Sequence, residues 1–159
     1  MPSPAKVASP TAQAKTLAGF IGKFDPQIAK SIRATRTILR KRYPTAHELI
    51  YDNYNFFVVG FSTTERPSDC MFSLAANAKG VNLSFYYGST LPDPKKILSG
   101  SGSQNRFIRL ENAAKLSDPD VVSLLRAAVA QAEPALPSSG KGRIIIRSIS
   151  AKQRPRRDS

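Results

Sequence analysis

At Pro44 the spacing of the apolar residues changes, from every third or fourth position before it to every second position after it. A chain patterned in this way has to set a helix against a sheet. The helical part is residues 25–43, DPQIAKSIRATRTILRKRY, where Ile28, Ile32, Thr35, Leu39 and Tyr43 fall on one side at about 100° per residue. Lys30, Arg33, Arg36 and Arg40 fall on the other side, with Lys41 beside them. Asp25 stands where an N-cap belongs, Pro26 suits the first turn, and Pro44 follows where the helix has to stop. Its solvent face is almost entirely cationic, which argues for an anionic partner.

After Pro44, residues 54–62 (YNFFVVGFS), 70–76 (CMFSLAA) and 81–87 (VNLSFYY) read as short strands, and Asn77 to Gly80 as the turn of a hairpin between the last two. Residues 49–51 add a preceding strand or a helical end. Residues 95–98 suggest a short helix, residues 99–106 (SGSGSQNR) a glycine-rich loop, and residues 106–110 a further strand. Ser117, Asp118 and Pro119 open a second helix with a stripe of Val121, Val122, Leu124, Leu125, Ala128 and Val129, ending by Pro134. Residues 143–149 (RIIIRSI) form a last strand that can pair with a sheet edge. Helix, antiparallel strands, helix predicts an α+β sandwich of about five to six strands, with the N- and C-terminal helices on one face.

The chain of 159 residues is one domain's worth. The expected division is a disordered tail at residues 1–15, an α+β domain at residues 16–133, a linker at residues 134–142, and a strand with a basic tail at residues 143–159. The net charge is +13, and residues 134–159 contribute +6 of it, from seven Lys and Arg against one Asp. Such a chain is drawn to nucleic acid or to acidic protein by its field alone. The single cysteine, Cys70, excludes an internal disulfide and any Cys-cluster metal site. No apolar run approaches a membrane span, and the first residues lack the apolar stretch of a secretory signal, so a cytoplasmic location is expected.

From residue 32 to 132 the chain resembles the YdhG-like family of small bacterial domains. The likeness rests on PTAHELIY (44–51), on the paired strands ending in VNLSFYYG, on the LPDP that follows, and on GSGSQNRFIRLEN leading into a capped helix. The resemblance implies a frataxin-like layout. Some members are described as iron chaperones that supply sulfur-cluster or haem assembly, so iron is the one cofactor it suggests. It carries no catalytic residue over to this chain. Frataxin-type carriers present an acidic ridge on the first helix; here that helix bears six cations from Lys30 to Arg42, a surface that repels a metal ion.

Among candidate sites, Glu48 and Asp52 are the pair of carboxylates that would share a face on a helix and could hold a hard cation. Salt bridges from Glu48 to the Arg40–Arg42 cluster are the alternative. The anion-binding candidates are Lys30, Arg33, Arg36, Arg40 and Lys41 on the helix, with Arg154, Arg156 and Arg157 in the tail. Alternation along the strands puts either Phe57 and Tyr86 or their neighbours on the open face of the sheet, where aromatic rings could stack on unpaired bases or bury themselves in a homodimer. Asp118 and Asp120 read as helix-start residues, and Cys70 as a buried strand thiol. The expected function is a non-catalytic intracellular binding or carrier module. The alternative is an accessory protein that holds nucleic-acid phosphates with the basic helix and tail.

Overall fold

The structure, a computed structural model, describes residues 9–158. Two helices come first, α1 (Pro10–Ile21) and α2 (Pro26–Arg42). α1 is capped by Ser9, whose hydroxyl accepts from the Ala12 amide at 3.1 Å, and Leu17, Phe20 and Ile21 anchor it in the core. Residues 10–15 therefore form the first turns of a helix rather than the disordered tail their composition suggests; residues 1–8 lie outside the described residues. α2 has the expected bounds and buries Ala29, Ile32, Thr35 and Leu39. Asp25 takes the N-cap position, but its side chain makes no cap hydrogen bond.

The strands are β1 (His47–Asp52), β2 (Phe57–Ser62), β3 (Cys70–Asn77), β4 (Gly80–Phe85), β5 (Arg106–Leu110) and, after helix α3 (Pro119–Gln131), β6 (Ile144–Ile149). They lie in the order β5-β4-β3-β2-β1-β6. The first five pair antiparallel. The β3–β4 hairpin closes at Asn77 and Gly80, where the Asn77 side chain accepts from the Lys79 amide at 2.9 Å.

β6 departs from the expected all-antiparallel sheet: it pairs parallel with β1, and the sheet is mixed. Its direction follows from where the chain enters. The Gly142 amide donates to Pro44 O at 2.9 Å, the Arg143 amide to His47 Nδ1 at 3.1 Å, and the Glu48 amide to Arg143 O at 2.9 Å, so β6 starts beside the start of β1 and runs with it. The approach is close enough that a Cβ on Gly142 would stand 1.7 Å from Ala46 O, which only glycine avoids.

One core joins all three helices to alternate strand residues: Leu17, Phe24, Ile32, Leu39 and Leu125 meet Ile50, Phe57, Phe61, Phe72, Leu83 and Phe85. Phe72 lies 5.5 Å from Phe61, 5.3 Å from Tyr43 and 6.4 Å from Phe85, ring to ring. Residues 95–98 are not helical. There the Asp93 carboxylate accepts from the Ile97 and Leu98 amides at 2.9 and 3.0 Å, which holds a turn. Among the described residues the fold is thus α+β, three α-helices with a six-stranded mixed open sheet.

Candidate anion-binding surface

The alternation of β1 turns Glu48, Ile50 and Asp52 to the same side, and Ile50 is in the core. Two carboxylates are therefore driven under the helices, where each needs a counter-charge. Glu48 receives a fork from Arg36, with Nε to Oε2 at 2.5 Å and Nη2 to Oε1 at 3.0 Å, and Arg40 Nε stands 3.2 Å from Oε1. Asp52 meets Lys23 Nζ at 2.6 Å through one oxygen and Arg156 Nη2 at 2.9 Å through the other. Burial alone would raise the Asp52 carboxyl, but Lys23, Gln153 and Arg156 outweigh it and hold it below 3.8.

The premise that Glu48 and Asp52 share a helical face does not hold, because β1 is a strand. Four residues of strand separate them by about 13 Å. Both are already neutralised by cations from other elements, so they do not fit a bound iron. Among the described residues no three His, Cys, Asp or Glu side chains gather as a metal site.

Arg156 is likewise not a solvated tail cation. It is buried, its guanidinium also donates to Asn53 O at 2.6 Å, and it lies 5.9 Å from the Phe24 ring centre. It fastens the C-terminal segment to the domain. Gln153 supports it by donating to Asp52 O at 2.8 Å. Arg157 stays exposed, its Nε donating to Lys23 O at 3.1 Å beyond the C-terminal end of α1. Arg154 is exposed and rests 5.6 Å from the centre of the Tyr54 ring.

The remaining helix cations divide cleanly. Arg36 is committed to Glu48 and Arg40 shares the same carboxylate, whereas Lys30, Arg33 and Lys41 are exposed and make no salt bridge among the described residues. Arg42 is tied to Leu116 O at 2.7 Å. The surface of α2 therefore presents three free cations with no acid beside them on the same helix.

Other sequence candidates serve the fold. Asp118 caps α3 by accepting from the Asp120 amide at 2.9 Å. Arg106 is spent inside the glycine-rich loop, donating to Gly102 O at 2.5 Å and Asn105 O at 2.8 Å. Burial pushes the Cys70 thiol up to about 12, so it holds little thiolate at neutral pH. Burial, then the Arg143 charge, lower His47 from 6.5, and the neutral ring accepts the Arg143 amide. His47 and Cys70 sit two strands apart in register, across Ser62, about 10 Å. Phe57 is in the core against Phe20 and Phe24, while Tyr86 is 41% exposed beside Tyr87.

Spacing did not reveal Lys23, Lys79 and Asn55, which the fold brings to the same end as Tyr54, Phe56 and the tail. The only signal was Asn53 and Asn55 flanking an aromatic between two strands, a turn composition. Among the described residues no helix is long and apolar enough to cross a membrane. No family model, curated protein or solved structure matches the chain.

Proposed function

We propose that this chain is a non-catalytic, cytoplasmic binding module whose partner is a nucleic acid held by its phosphates. The observation that supports the reading is the separation of charges: the inward-facing acids are matched by Lys23, Arg36, Arg40 and Arg156, and Lys30, Arg33 and Lys41 are left facing solvent. Cations so placed engage a polyanion and release its counterions. A frataxin-like, two-layer arrangement of YdhG-like type agrees with the single core that all three helices share with alternate strand residues. The iron role that goes with that resemblance has less support, since its two carboxylate candidates are committed to cations.

Fluorescence anisotropy with short mixed-sequence RNA and DNA tests the reading. The wild-type chain should bind both at low salt. The exposed triple variant K30A/R33A/K41A should keep its fold, bind more weakly, and lose about one unit of salt slope for each cation removed. Absence of binding at low salt, or a triple variant that binds as the wild type does, would exclude α2 as the interface.

A further inference from the structure

Three segments meet at the end of the sheet where β1 turns into β2. They are the Asn53–Phe56 loop, closed by the Asn53 amide on Phe56 O at 3.0 Å, the β3–β4 turn, and the C-terminal segment, whose Arg154 amide donates to Tyr54 O at 2.9 Å. Between them lies a cleft of about 620 Å³ lined by Asn55, Phe56, Asn77, Lys79, Arg154 and Arg157. A second depression of about 470 Å³ lies alongside, with Tyr54 in its wall and Asn55 and Phe56 shared between the two. Tyr54 and Phe56 are 47% and 38% exposed, so two aromatic rings of one short loop face solvent.

The chemistry around those rings is cationic. Lys79 makes no salt bridge among the described residues, the Arg154 guanidinium lies 5.6 Å from the Tyr54 ring centre over one face and leaves the other to a base, and Arg157 is exposed; Asp158 is the one acid on the cleft wall. The Asn55 side chain is exposed and makes no hydrogen bond to another described residue, so it can read a base edge. Open aromatic faces flanked by cations suit a base with its phosphate. A duplex hides its base faces, and the two rings, interrupted by Asn55, form no continuous aliphatic patch for a lipid surface.

We infer that this cleft binds single-stranded nucleic acid, with unpaired bases stacking on Tyr54 and Phe56 and the adjoining phosphates held by Lys79 and Arg154. The inference rests on the nucleic-acid reading above and adds to it a site, a strand preference and the residues that impose it. The buried Asp52–Arg156 pair makes the site possible by keeping the C-terminal segment beside the loop.

The test compares a single strand carrying 2-aminopurine, the same sequence as a duplex, inorganic polyphosphate, and vesicles of phosphatidylcholine with phosphatidylserine, all with the full chain at about 0.1 M salt. The single strand should bind more tightly than the duplex and its 2-aminopurine fluorescence should be quenched. Tyr54→Ala and Phe56→Ala should each weaken single-strand binding by about 5- to 100-fold and leave polyphosphate binding unchanged, while Tyr54→Phe should retain the wild-type affinity. Equal affinity for strand and duplex, with Y54A and F56A unchanged but K30A/R33A/K41A weakened, would overturn the cleft and leave the backbone reading standing. No binding to any nucleic acid would overturn both. Vesicle binding that Y54A and F56A abolish, without any effect on the oligonucleotide, would assign the cleft to a membrane surface instead and overturn the inference.

Discussion

Replacing Asp52 by alanine should destabilise the fold by about 3–5 kcal/mol, the range for removing one partner of a buried ion pair. The size comes from what is left behind. Arg156 would remain buried with its strongest acceptor gone, and its Nε and Nη1 already have no hydrogen-bond partner. Lys23 contributes less to the loss, because its side chain is 42% exposed and its ammonium recovers water. Thermal unfolding should show a midpoint lower by roughly 10 °C for a domain of this size. The loss should also be non-additive with Arg156→Ala, since either change removes the same contact. Additive losses would mean that the pair is not coupled.

The same contact sets an acid limb. Asp52 titrates below its ordinary value of 3.8 when folded, so its stabilisation is complete above 3.8 and is lost as pH falls through the lower folded value. Asp52→Asn should flatten that limb in a pH series of denaturant midpoints.

Glu48→Ala should lower stability by about 2–3 kcal/mol, the scale of lost hydrogen bonds to a charged group, and at the same time tighten nucleic-acid binding. Arg36 and Arg40 share this one carboxylate. Without it, two guanidinium groups join Lys30, Arg33 and Lys41 as free cations of α2. The salt slope for single strands should steepen by about 1.4 units, about 0.7 for each freed cation. A metal carrier would behave in the opposite sense, losing its ligand with the carboxylate. Chemical denaturation and anisotropy on the same variant separate the two effects.

How much of this was legible follows from the reach of each signal. α2 was legible because its period, Pro26 and Pro44 all lie within one stretch, and the β3–β4 hairpin because Asn77 and Gly80 are turn residues at the right spacing. α1 was not, since residues 10–15 are almost without large apolar side chains; Ser9 and the burial of Leu17, Phe20 and Ile21 decide it. The run of isoleucines in β6 marked a strand, but its direction depends on Pro44, Ala46 and His47, nearly a hundred residues away in the chain, as the Arg143–His47 separation of 96 shows. The candidate site divided in the same way. The helix cations were visible as a face, whereas the fate of Arg156 was set by an Asp 104 positions earlier. Asp52 looked like a metal ligand and Arg156 like a phosphate ligand; the fold spends them on each other.

The central claim is that the cations left free by this internal pairing hold nucleic-acid phosphates. The direct measurement is the dependence of single-strand affinity on salt concentration, for the wild-type chain and for K30A/R33A/K41A. The wild type should give a log–log slope of about −3 or steeper, and the variant a shallower one. Equal slopes, or a wild-type affinity that does not respond to salt, would contradict it.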